Sequence, residues 1–181
     1  TLFRSPRTLD ALAAIAKRDA ADPWIRVAVL SSVAETSDQL LARLLADEAS
    51  ASTDLLRELA RLLGARGQTP EMQGALAAAS GKDPGNPALR EVAAGIGDGL
   101  KRTGKSHRRA GFTGDAAQVV EQLLAQAAKT AADSVQTVEA RRDAIRLLAF
   151  DDFASAQAVL ADLLDPAQPQ DIQLAAIQTL G

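Results

Sequence analysis

Arginine is the residue type best placed to do chemistry in this 181-residue chain. Arg26, Arg57, Arg90, Arg142 and Gln173 follow one another at steps of 31, 33, 52 and 31 residues at one place in a similar helical stretch, after its first apolar position in every case but Arg142, which follows Arg141. A guanidinium presents a planar fork of donors that fits a carboxylate or a phosphate, so this column could line an anion-binding groove. Alternatively, each member bonds acids or carbonyls of the adjoining segment and serves the fold. Surface charges are commonly paired or solvated locally, which favours this second reading. Arg61 and Arg146, one turn beyond Arg57 and Arg142, are better placed for a true surface role.

A second basic cluster, Lys101, Arg102, Lys105, Arg108 and Arg109, contains no acid. The whole chain carries −3, so the remainder without these five cations carries −8. That balance argues against a general nucleic-acid binder, which would spread its cations along a face. The cluster could still contact nucleic acid, an acidic partner or anionic lipid, with Gly104 and Gly111 letting it adapt. Only Phe112 is near enough to stack on a base, so the segment reads as a solvated loop. His107 is the only histidine and there is no cysteine, which leaves no partner for a shared metal and no thiolate chemistry. It is expected to be an exposed loop residue.

Other groups invite chemical readings that their surroundings deny. The pairs Asp151-Asp152 and Asp47-Glu48 resemble acid/base dyads, but they fall at helix ends and read as caps and charges that offset the helix dipole. Gly95-x-Gly97-x-Gly99 follows no strand and precedes no Gly-Lys-Ser/Thr, so it is not a phosphate loop. Close approach of a neighbouring helix would explain these glycines, and so would a weakened, kinked helix end. Trp24, beside Pro23 at a helix start, is expected to cover a joint between helices. No catalytic, cofactor-binding or metal-binding residue is assigned, and the chain is read as non-enzymatic.

The elements that must carry these residues come from one template. In Asp22-Pro23-Trp24-Ile25, Asp22 can cap a helix and Pro23 suits its first position, while Ile25, Ala28, Val29, Ser32 and Val33 fall on one face. The pattern recurs as Leu56, Leu59, Ala60, Leu63, then Leu89, Val92, Ala93, Ile96, then Ala144, Ile145, Leu148, then Ile172, Ala175, Ala176, Leu180. The template helices span 22–33, 53–64, 86–101, 137–150 and 169–180. Gly64 is expected to close the second, and the turn 81–85 precedes the third. Amphipathic partners over 7–20, 36–47, 70–80, 115–132 and 153–164 complete five pairs. Periodicity lapses over 102–114, an irregular basic loop.

Composition agrees with this reading. Hydrophobic residues make up 47% of the chain but aromatics only 3%, so the interior must be filled by Ala, Leu, Val and Ile. Such a core suits closely packed helices, because Ala and Leu are strong helix formers and the β-branched and aromatic runs expected of strands are absent. A two-helix unit of this length cannot bury both apolar faces alone, so neighbours stack in a row. The expected fold is all-α, a right-handed α-α superhelix of about five antiparallel helix pairs forming one domain over 1–181. Small residues at Ala28, Ala60, Ala93, Ala144, Ala175 and Ala176 would let the backbones approach. No apolar run nears the roughly 20 residues of a membrane span, and the N-terminus does not read as a signal peptide. A start at Thr1 and a stop at the end of a repeat helix suggest a piece of a larger protein.

Asp22-Pro23-x-x-Arg26-x-Ala28-Val29, Arg142-x-Ala144-Ile145 and Gln173-x-Ala175-Ala176 resemble the second helix of HEAT repeats. That resemblance, in architecture, covers nearly the whole chain and implies a concave surface for partners. More narrowly, Asp22 to Arg26, Arg142 to Leu148 and Asp165 to Ala176 resemble the HEAT-like middle region of large exported planctomycete-type dehydrogenase and haem-binding proteins. This would make the segment a spacer or docking arm, with redox chemistry in other domains and no cofactor here. The expected function is protein interaction or scaffolding, with a protein or neighbouring domains of the parent chain as partner and no membrane. The location would be periplasmic or exported under the narrower resemblance and cytoplasmic otherwise. A HEAT-like DNA glycosylase is the alternative. It wants Trp or Tyr in its groove, whereas this chain has one Trp and no Tyr.

Overall fold

The computed structural model describes residues 5–46, 52–81 and 86–180, and they form an all-α structure with no strand among them. Ten α-helices follow one another: α1 Pro6–Asp19, α2 Pro23–Ser32, α3 Ser37–Leu45, α4 Thr53–Arg66, α5 Thr69–Ser80, α6 Pro87–Lys101, α7 Gly114–Ala132, α8 Val138–Leu148, α9 Phe153–Asp162 and α10 Gln170–Leu180. A 3₁₀ turn, Arg108–Ala110, stands between α6 and α7. Asp47-Glu48 and residues 82–85 of the expected turn lie outside the described residues.

Local chemistry starts these helices. Asp22 accepts from the Trp24 N–H at 2.8 Å, Asn86 from Ala88 at 2.9 Å and Thr137 from Ala140 at 3.2 Å, which satisfies donors that a helix start leaves open. Pro23 and Pro87 follow two of these caps at the first helical position, where no N–H is needed. One expected stop differs. Gly64 does not close α4; the helix runs on to Arg66, and Gly67 (φ 68°) closes it by donating to the Leu63 carbonyl at 3.0 Å.

The chain divides into two compact units, Thr1–Lys105 and Ser106–Gly181. In the first, α1 packs on α2, α3 on α4 and α5 on α6, while α1, α3 and α5 contact in series, as do α2, α4 and α6. Leu9, Leu40, Leu44, Leu59, Leu63, Met72, Leu76, Leu89 and Ile96 fill the core. In the second, α7 packs on α8 and α9 on α10, and again α7 meets α9 and α8 meets α10. Ile145, Leu148, Leu160, Leu163 and Ile172 are buried there.

The most extensive packing joins α4 to α6. Every residue from Val92 to Gly97 is buried, as expected of a helix whose apolar character extends around most of its surface. A Cβ placed on Gly95 would collide with the Arg57 carbonyl oxygen, and one on Gly99 with that of Arg61. From the other side, a Cβ on Gly64 would collide with the Ile96 carbonyl. Close approach is therefore the explanation for Gly95 and Gly99: two helix backbones touch where glycines remove the side chains between them.

Two expectations fail in α2. Ala28 is exposed rather than part of a seam, and Trp24 is 82% exposed rather than covering a joint. The first template helix has its packed neighbours in α1 and α4, and the face bearing Trp24, Val27 and Ala28 is turned away from them. Ala60, Ala93, Ala144, Ala175 and Ala176 are buried.

Candidate functional site

The arginine column sits on even-numbered helices, and Arg26 and Arg57 each reach the next helix of that series. Arg26 of α2 lies 3.5 Å from Glu58 and 3.8 Å from Asp54, both on α4, and donates to the Ala20 carbonyl at 3.4 Å. Arg57 of α4 lies 2.9 Å from Asp98 and 3.9 Å from Glu91, both on α6. A repeated rung results, with an arginine on one even helix and acids on the next. Arg90 is exposed. Off the column, Arg43 links α3 to Asp10 of α1 at 2.8 Å, and Arg66 donates to the Ala34 carbonyl at 2.9 Å while meeting Glu71 of α5.

The second unit uses a residue that the sequence reading passed over. Arg141, not Arg142, is the buried arginine, only 2% exposed. Its Nε donates to the Ala131 carbonyl at 2.9 Å and its Nη2 to Gln168 Oε1 at 2.7 Å. Gln173 in turn donates to the Gln168 carbonyl at 2.8 Å, so Gln168 ties α8 to the start of α10. The signal was present in the sequence. Arg141 precedes Ala144, Ile145 and Leu148 by three, four and seven residues, so it shares their buried stripe.

Arg142 is half-buried and has no carboxylate within 4 Å among the described residues. With Arg146, Asp171, Leu174, Ala175, Gln178 and Thr179 it lines a cleft of about 110 Å³ between α8 and α10. Arg146 is itself paired with Asp143 one turn back at 2.9 Å, and both side chains are exposed. Arg61 is half-buried on α4.

The basic cluster does not act as one patch. Lys101, Arg102 and Lys105 are exposed, with no carboxylate within 4 Å among the described residues. Arg108 and Arg109 instead meet Asp151 at 2.6 Å and Asp152 at 3.1 Å. The Asp151 hydrogen bond is the main cause that raises the Arg108 pKa above its ordinary value. Ser106 also donates to Asp152, at 3.0 Å. The acid pair is thus an anchor for the basic loop and not a set of helix caps: Asp152 stands at the start of α9 without a capping side-chain bond.

His107 departs most from its expected place. It is 2% exposed, its backbone N–H donates to the Phe150 carbonyl at 3.0 Å, and its ring lies 6.0 Å from Phe112 and edge-on to Phe150 at 6.2 Å. Its cationic neighbours in sequence made it look solvated, but Arg108 and Arg109 are held by acids more than 40 residues ahead, and the imidazole between these pairs and Phe150 is turned inward. A cleft of about 230 Å³ lined by His107, Arg108, Phe112, Val120, Glu121 and Leu124 opens beside it.

No three His, Cys, Asp or Glu side chains gather to hold a metal among the described residues, and no helix among them is long and apolar enough to cross a membrane. No protein-family model, curated protein or solved structure matches this chain.

Proposed function

We propose that the chain is a non-catalytic helical-repeat binding module, a HEAT-like right-handed superhelix that offers the outer surface of its even-numbered helices to a protein partner. One observation carries the reading. Within each unit, helices pack on their sequence neighbour and on the next helix but one, so that odd helices form one series and even helices another. Repeated stacking of this kind produces extended surface rather than an enclosed pocket. The clefts at Arg142 and at His107, both among the described residues, are small beside the roughly 300 to 1,000 Å³ usual for small-molecule sites. Arginines used in rungs also leave few cations for nucleic acid, which is why a glycosylase-like role ranks second. Within a larger parent protein, such a module would act as a spacer or docking arm.

The test is affinity isolation with chemical crosslinking, using the full chain at physiological salt. A protein retained in stoichiometric amount and crosslinked to this segment supports the proposal. Duplex DNA bound with a steep salt dependence, with no protein retained, would overturn it in favour of the nucleic-acid reading.

A further inference from the structure

We infer that the cleft between α8 and α10 receives an acidic side chain from a protein partner, with Arg142 as its anchor. This rests on the reading of the chain as a binding module and names the chemistry of one of its contacts. The argument starts from a missing rung. Glu58 and Glu91, each directly after a column arginine, meet the arginine of the preceding even helix at 3.5 and 3.9 Å. The residue in that place on α10, directly after Gln173, is Leu174. Arg142 on α8 therefore shares its cleft with a leucine at the place where Arg26 and Arg57 meet glutamates, and it is left without a carboxylate within 4 Å among the described residues.

The surroundings define what would fill the place. Leu174 and Ile177, three residues apart on α10, are 51% and 55% exposed and make an apolar ledge beside the cleft. Gln178 and Thr179 add neutral polar groups. Asp171 lines the cleft beyond 4 Å of either guanidinium, and Asp143 already balances Arg146. The four charges cancel, so a polyanion such as nucleic acid gains little here. A single carboxylate can reach the unpaired Arg142 while its apolar neighbours cover the ledge. The occupant is an amphipathic peptide segment carrying Glu or Asp next to Leu, Ile or Val, and it supplies in trans the rung that α10 lacks.

The experiment selects from a random-peptide phage library on the full chain and then measures affinities of the enriched peptides. Enrichment of an acid beside aliphatic residues is expected, with binding weakened about tenfold or more by Arg142→Ala, the size expected for losing a charged hydrogen bond. Leu174→Glu should do the same by restoring the rung internally, while the helical circular dichroism and melting temperature hold or rise. A peptide whose Glu is changed to Lys should recover binding to Arg142→Glu. Enriched peptides without an acid, or binding unchanged in both Arg142→Ala and Leu174→Glu, would overturn the assignment. If binding is instead lost on Arg61→Ala or Lys105→Ala, this cleft is wrong and the module reading survives. If no peptide is enriched, both fall.

Discussion

Adjacent arginines show how much depends on helical phase. Arg141 is buried with two side-chain hydrogen bonds, and Arg142 lies half-buried in a cleft with no carboxylate within 4 Å among the described residues. Arg141→Met keeps the apolar stem but leaves the Ala131 carbonyl and the Gln168 side chain without their donor, so it should cost about 1 to 3 kcal/mol. Arg142→Ala should stay within about 0.5 kcal/mol. Urea denaturation of both variants checks the contrast, and equal losses would contradict it. Glycines give a second pair. Gly95→Ala drives a methyl into the Arg57 carbonyl and should destabilise by about 1 to 3 kcal/mol, the range for overpacking. Gly74→Ala, in α5 with nothing within 4 Å of the added methyl, should stabilise by about 0.5 to 1 kcal/mol. Sequence alone could flag Gly95 and Gly99 as helical glycines in need of a reason. It could not choose between close approach and a kink, because the choice depends on which helix lies opposite.

At the scale of elements, starts were more legible than stops and loops. Asp22 was readable as a cap because a short polar side chain before an apolar stripe has few other uses, and it caps its helix, as Asn86 and Thr137 cap theirs. Gly64 was misread because Gly67, three residues on, could serve equally, and only the packing of α6 on Gly64 separates them. Thr137→Ala should therefore cost about 1 kcal/mol, whereas Ser52→Ala at the start of α4, where no capping bond is made, should cost less. The link from α7 to α8 carries a pH dependence. Asp133 accepts from the Val135 N–H at 3.0 Å and from the Gln136 side chain at 3.1 Å, the first of which mainly holds its pKa below the usual carboxylate range. Because the folded value is the lower one, its contribution is complete above the unfolded value near about 4 and disappears as pH falls through the folded value. Relative to Asp133→Asn, the wild type should be more stable at neutral pH, and the difference should vanish in strong acid. A constant difference across that range would contradict the assignment. The basic loop was the least legible element, since its order comes from Asp151 and Asp152, more than 40 residues away.

For the molecule as a whole, the repeat was written in the sequence as an apolar stripe returning at near-constant steps, and the all-α structure follows from it. The 52-residue step from Arg90 to Arg142 marked where the pattern breaks, and the boundary between the compact units, at Lys105 and Ser106, falls inside it. Limited trypsin digestion should accordingly cut first at exposed Lys101, Arg102 or Lys105 and spare Arg141, buried in α8. What the stripe could not disclose was which polar groups the stacking consumes, because a rung needs two helices and each is written separately. The central claim is that the product of this stacking is a binding surface on the even-numbered helices. Its most direct measurement places a photo-crosslinking residue singly at Arg61 of α4, Arg146 of α8, Ala42 of α3 and Gln126 of α7 in the full chain, and identifies the adducts formed in native extract. One protein partner should crosslink from Arg61 or Arg146 and not from Ala42 or Gln126. Adducts to nucleic acid, or protein adducts confined to the odd helices, would contradict the account.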